Sequence, residues 1–330
     1  MSIERGNKTM RIFACGGMGT NLVSEIYDWK DKSIDGFADI EFAFVDTSNS
    51  NLSKNIDENE VYLIEGLSGS GKLRSANSED ITRRVKDVVH SFKPTHINVV
   101  VHSLNGGSGS VFGPLVTSEL LQRDFPTIVV AVGDKNSRLD TNNTINTLKT
   151  YEAISRKIGI PVVMAYYQNT GSSNRKEINR FIIVLLEALR CLFSDQHHGL
   201  DPKDLYHWLR FDKVTDYPVQ LSCLTLVGKD ESISKVYGKA ISVATLAVDG
   251  EEIEYHESVD YQTEGFITPE LSKKIQSTTT HFVISDGGFD EILKILNDRI
   301  KEIDEEKDSR VVRQSLVTKD DRVEDSGLVL

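Results

Sequence analysis

The sequence predicts an α/β protein: a parallel sheet first, then a long apolar helix, then a smaller α+β unit ending in a long helix and a polar tail. Three observations carry this. Short, near-continuous apolar runs (INVVV, TIVVAV, PVVMAY) alternate with amphipathic stretches over the first half, as strands buried on both faces of a parallel sheet do. One segment, NRKEINRFIIVLLEALRCLF, is too long for a strand and apolar nearly all round after its first turn. Beyond it the apolar runs become fewer and the spacing less regular.

In chain order, strands are expected at 11–15, 40–45, 61–64, 96–102, 127–132 and 161–165, with helices at 21–29, 78–92, 111–122 and 142–157 between them. The long helix spans 174–193, or about 30 Å at the usual rise. Its all-round apolarity places it inside, as a core helix or, more sharply, as one lying between two domains and covered by both. DPKDLYHWLR reads as a short helix, 219–227, 252–258 and 281–285 as strands, and 233–248 and 289–305 as helices. From about 307 to 330 the chain is polar, without a period, and expected to be flexible.

Composition excludes several classes. The 330 residues carry a net charge of −12, against a nucleic-acid binder, which needs clustered Lys and Arg. No run reaches the ~18 apolar residues of a membrane span, and the start, MSIERGNKTM, does not resemble a secretory signal. Three scattered cysteines (Cys15, Cys191, Cys223) argue against a disulfide framework or zinc site and for the cytoplasm. His197 and His198 have no further ligand cluster, so no metal is assigned to them.

Ligands of open α/β sheets sit at the carboxyl ends of the strands, where this sequence places three glycine-rich loops. The first is Gly16-Gly17-Met18-Gly19-Thr20-Asn21. Such a loop, opening a helix, brings backbone N–H groups close to an anion. It is not the dinucleotide motif G-x-G-x-x-G, because Leu22 holds the third glycine position. The second contains Gly66, Gly69, Gly71 and Lys72. It approaches the Walker pattern, but Leu73 stands where a magnesium-binding hydroxyl should be, so a phosphate-covering loop fits better. The third, Asn105-Gly106-Gly107-Ser108-Gly109-Ser110, sits between a strand and a helix and offers backbone and hydroxyl donors to a di- or triphosphate.

These loops, in this order and followed by the long apolar helix, resemble the tubulin/FtsZ GTPases, and within them the tubulin-like proteins of large bacteriophages. The family hallmark G-G-G-T-G-[ST]-G is matched over its five central positions by residues 106–110, with Asn105 and Val111 replacing the outer glycines. The resemblance implies GTP or GDP with Mg2+ across the strand ends. Residues 16–21 would form the first phosphate loop, Asp46 and Thr47 a short loop near phosphate and metal, and residues 66–72 the loop at the γ-phosphate. Asp140 is offered for the ribose side, and Asn169 and Asn179 for the guanine edge, although Asn169 is equally a turn residue.

In this family a loop after the central helix of one subunit completes the site of the next. The retained D-x-x-D pair, Asp201 and Asp204, is the implied catalytic pair, with Gly199 in place of the usual Asn. Asp201 before Pro202 is also an ordinary helix N-cap. The acidic run 319–325 resembles the tail with which phage tubulins grip a neighbour, and it is equally a solvated tail. The implied organisation is a GTP-binding domain at 1–173, a central helix at 174–198, a C-terminal domain at 199–306 and a tail at 307–330. The implied partner is a second copy, head to tail, with neither nucleic acid nor membrane. The implied role is a dynamic filament that positions phage DNA in the bacterial cytoplasm. The competing reading is a Rossmann-type enzyme, for which Asp46 would be the acidic residue ending the second strand.

Overall fold

The computed structural model describes residues 8–31, 37–67, 69–169, 175–195, 197–229, 231–233, 236–253, 255–276 and 278–308. One sheet of ten strands runs through it in the order β3-β2-β1-β4-β5-β6-β7-β10-β8-β9. The strands β1 (Thr9–Cys15), β2 (Asp39–Asp46), β3 (Val61–Leu63), β4 (Ile97–Ser103), β5 (Thr127–Asp134) and β6 (Val162–Asn169) are all parallel to their neighbours. The strand β7 (Leu221–Gly228) continues parallel to β6, and β10 (Thr280–Ser285) then pairs antiparallel with both β7 and β8 (Ala240–Val248). An edge strand, β9 (Tyr261–Ile267), is parallel to β8.

Helices cover both faces because alternate strand residues point to opposite sides. Ile12 and Ala14 of β1 pack with Leu22 and Val23 of α1 (Gly16–Ser24), and the same core takes in α5 (Arg175–Leu192) and α6 (Pro202–Leu209). Phe13 and Cys15 of the same strand face α2 (Ser78–Ser91) and α3 (Gly109–Gln122). Farther along that second face, α4 (Arg138–Ile158) and the terminal helix α8 (Phe289–Asp308) cover Val129, Val162 and Leu221. A short helix, α7 (Pro269–Ile275), links β9 to β10.

The strands of the first half fall within two residues of the expected ends, except that β6 runs four residues further, to Asn169. Two expectations in the second half fail. The helix expected at 233–248 is not formed, and its last nine residues are β8. A continuous apolar run such as AISVATLAV has no period to separate buried strand from helix, and Gly238, at φ +75°, breaks any helix before it. Among the described residues the strand expected at 252–258 is absent from the sheet, and β9 takes the edge instead. The central helix α5 buries Ile178, Ile182, Leu185, Leu186 and Leu189, while Phe181 and Val184, counted as interior from apolarity alone, are exposed. The acidic run 319–325 lies outside the described residues. Among those described, no helix is long and apolar enough to cross a membrane.

Candidate nucleotide site

A cleft of about 540 Å³ opens at the carboxyl ends of β1, β2, β4, β5 and β6. It straddles the gap between β1 and β4, where successive connections leave the sheet in opposite directions, the place where such sheets bind ligands. Of the residues expected there, Gly17, Met18, Asn21, Asp46, Gly69, Asn105, Gly106, Gly107, Ser108, Gly109, Asn169 and Asn179 line it. Gly16, Gly19, Gly66, Gly71, Ser110 and Asp140 are not in its wall.

The first glycine loop is itself the opening of its helix, and the last two residues of the third open another, whereas the sequence places both loops before their helices. Helix α1 starts at Gly16 rather than Asn21, and α3 at Gly109 rather than Val111. The reason is their mutual approach. Gly16 has φ +71°, and a Cβ on it would lie 2.6 Å from the Gly109 nitrogen, so the two helix starts fit together only as bare backbone. Both starts lack a side-chain cap, and among the described helices α1 and α3 alone have no acidic residue in the first turn. Their N–H groups and the positive ends of their dipoles are thus left for an external anion.

The second loop and the third are held together from below by α4. The Asn143 amide donates to the carbonyls of both Lys72 (2.9 Å) and Asn105 (3.0 Å), and Thr147 Oγ1 donates to Leu104 O at 2.9 Å. Asp140 accepts from Lys72 Nζ at 2.8 Å, Asn105 Nδ2 at 2.9 Å and Ser137 Oγ at 2.6 Å. Burial pushes the Asp140 carboxyl up, but these bonds outweigh it and hold the group below the usual range. Asp140 is therefore a buttress under the loops, and Asp134 is the carboxylate that reaches the cleft wall from this side. Pro114 inside α3 removes the N–H that would bond the Ser110 carbonyl, and Arg74 Nη2 donates to that oxygen at 3.4 Å. Deeper in the wall, Thr47 and Ser108 share a hydrogen bond of 2.7 Å between hydroxyls. Burial raises the neighbouring Asp46 carboxyl to about 6 against an opposing bond from the Thr47 N–H.

At the far end of the cleft, carboxylates orient two amides. Asn169 Nδ2 donates to Asp134 Oδ2 at 2.9 Å, and Asn179 Nδ2 donates to Glu25 Oε1 at 2.7 Å. Since carboxylates only accept, each amide spends one N–H on the protein, and its Oδ1 is left to accept from a ligand.

Under the third loop lies a buried polar pair. His102 Nδ1 bonds the Ser103 carbonyl at 3.0 Å, so Nε2 accepts from Tyr151 Oη at 2.6 Å. Burial drives the imidazole down to about 4. A base with a lowered folded pKa stays neutral while the unfolded chain takes up a proton below about 6.5, so its stabilisation is present above 6.5 and is lost as pH falls toward 4. His102→Gln should therefore reduce the loss of stability between pH 7 and pH 5 by about 2 kcal/mol relative to the parent. Urea denaturation of both proteins at the two pH values measures this, and equal losses would refute it.

Asp201 and Asp204 lie elsewhere. Asp201 caps α6, accepting from Lys203 N at 2.7 Å and Asp204 N at 2.9 Å, and Asp204 Oδ2 accepts from Asp201 N at 2.9 Å. Those backbone bonds lower the pKa of the exposed Asp201 carboxyl. Helix α6 is tied beneath the start of β5, where Arg210 Nη1 meets Asp124 Oδ1 at 2.6 Å and Tyr206 Oη meets Asp124 Oδ2 at 3.1 Å. The cleft is at the other end of β5, about 23 Å away at ~3.3 Å per residue. The acidic pair and the cleft thus occupy opposite ends of the strands.

Sequence reasoning missed Ser48, Ser50, Asn51 and Arg175 in the cleft wall, and from the 133–140 connection it offered Asp140 where Asp134 lines the cleft. Only Asp134 had a usable signal, as the polar end of an apolar run. His197 Nε2 bonds the Leu192 carbonyl at 2.9 Å and His198 pairs with Asp249 at 3.2 Å. No group of three potential metal ligands occurs among the described residues.

Residues 200–288 match the family model described as phage tubulin-like protein, C-terminal domain. The phage tubulin-like protein of Pseudomonas phage phiKZ is 29% identical over 331 residues, covering 97% of each chain. The protofilament of TubZ from bacteriophage PhiKZ superposes with a TM-score of 0.85 at 30% identity, over 97% of this chain and 99% of that one. A structure of the phage tubulin PhuZ with GDP gives 0.84 at 26% identity, over 97% and 99%. The strand order 3-2-1-4-5-6 is shared with dinucleotide-binding sheets and does not itself favour either reading. Identity along nearly the whole length does, and the chain belongs to the phage tubulin-like proteins.

Proposed function

We propose that this protein binds GTP in the cleft, stacks head to tail into filaments, and hydrolyses GTP with Asp201 and Asp204 of the next subunit. The observation that carries the reading is the pair of uncapped, acid-free helix starts, α1 and α3, converging on one cleft. That is a site for a polyphosphate. The Oδ1 acceptors of Asn169 and Asn179 suit the N1–H and N2–H2 donors of guanine. Mg2+ would supply charge neutralisation between the phosphates, and Asp46 is a carboxylate of the cleft wall that could hold it. Phosphoryl transfer asks mainly for positioning and charge stabilisation, which the loops provide.

Separation of the acidic pair from the cleft supports assembly. A subunit cannot bring the pair to its own cleft, whereas a copy translated along the strands can, and a contact of that kind propagates without closing. Relatives of this chain have been solved as a protofilament and as a filament. In this reading residues 1–173 bind nucleotide, 174–198 connect, 199–306 activate the neighbour and 307–330 add a further grip. The filament would position phage DNA in the host cytoplasm. Equilibrium binding of GTP, GDP, ATP and NAD, with light scattering in the presence of Mg2+, tests the reading. We expect binding of the guanine nucleotides alone, and scattering that rises with GTP and decays as phosphate appears. Tight NAD binding, or no assembly with GTP at tens of micromolar protein, would refute it.

A further inference from the structure

Lys72 is held at both ends in an unusual conformation. It is one of three non-glycine residues with positive φ among those described, at +67°. Its carbonyl accepts from Asn143, and its ammonium is paired with Asp140 at 2.8 Å. The side chain is nonetheless 57% exposed and forms part of the cleft wall. Strained backbone at a binding site persists when its surroundings hold it and the site uses it. The loop also packs on the phosphate end rather than the amide end: Ser108 Oγ donates to Ser70 Oγ at 3.4 Å, beside the start of α3.

We propose that Lys72 is the cleft's mobile cation for the terminal phosphate of a triphosphate, and that Asp140 is the internal anion that competes for it. This rests on the nucleotide reading above. The ammonium is a point charge on a flexible four-carbon stem, so it can leave Asp140 without rebuilding the loop. Asp140 offers one negative charge, shared among three donors, whereas a terminal phosphate offers up to about two. A diphosphate lacks the group at that end and leaves Lys72 with Asp140. The contact therefore sets the preference for triphosphate over diphosphate, and links it through Asp140 and Asn105 to the third loop.

The test is a double-mutant cycle on the full chain, reading the ratio of GDP to GTP dissociation constants. Lys72→Met should lower that ratio on the order of tenfold, the scale of one charge-assisted contact, while changing GDP affinity little. Lys72→Arg should restore part of it. Asp140→Asn keeps an acceptor for Asn105 but releases Lys72, so the ratio should rise severalfold, and should not rise when Met occupies position 72. A merely structural role would weaken both nucleotides together. The proposal is overturned if Lys72→Met leaves the ratio unchanged, or if Asp140→Asn shifts it equally with Met at 72. Binding of neither guanine nucleotide by the parent would overturn the nucleotide reading itself, and this proposal with it.

Discussion

Replacing both Asp201 and Asp204 by Asn should cut phosphate release by GTP-assembled protein about 100-fold or more, the usual scale of a lost acid–base group. Nucleotide affinity and filament formation should remain. Asn is the informative substitution because these carboxylates also cap α6 through three bonds to the backbone. Asn caps a helix about as well as Asp, whereas Ala would cost about 1 kcal/mol and confuse folding with chemistry. Neither the exposed Asp201 nor the half-buried Asp204 lines the cleft of its own subunit, so their loss cannot act through that site. Phosphate release is measured beside sedimentation of the polymer, with the expected outcome a more persistent filament. Normal turnover in the double variant would remove the acidic pair from the mechanism. A parent-like rate per subunit in dilute, unassembled protein would remove the need for a neighbour.

Gly16→Ala should destabilise the chain by about 3 kcal/mol and weaken GTP binding at least about tenfold. The matched control is Gly159→Ala at the end of α4. Both glycines are left-handed, at φ +71° and +72°, but a Cβ at Gly159 meets nothing within 4 Å, whereas one at Gly16 meets the nitrogen of Gly109 at 2.6 Å. The control pays only for its backbone angle, about 1 kcal/mol. The difference between the two, read from urea denaturation, isolates the close approach of α1 and α3. Equal costs would mean that the helix starts can move apart freely. In that event the cleft would tolerate the change and GTP affinity would hold.

The chain itself determined the first half of this fold. Strands buried on both faces have no choice of face to encode, so INVVV, TIVVAV and PVVMAY identify themselves as interior, and the glycine clusters mark their carboxyl ends. The same uniformity hid β8, because an apolar run without a period fits helix and strand alike until β10 lies beside it. What only the tertiary structure decided was which polar groups meet. Asp140 and Asp134 sit six residues apart on one connection. One is turned under the loops toward Lys72 and Asn105, the other into the cleft beside Asn169. Spacing cannot distinguish them, because side-chain direction there depends on where α4 starts and on what packs above it. Likewise a D-x-x-D sequence announces a helix cap, but its distance from the cleft is set by the length of β5 and by Arg210 and Tyr206 holding α6 to Asp124. Local chemistry writes the elements and their caps. The site, assembled from residues up to about 160 positions apart, exists only once the sheet brings five strand ends together.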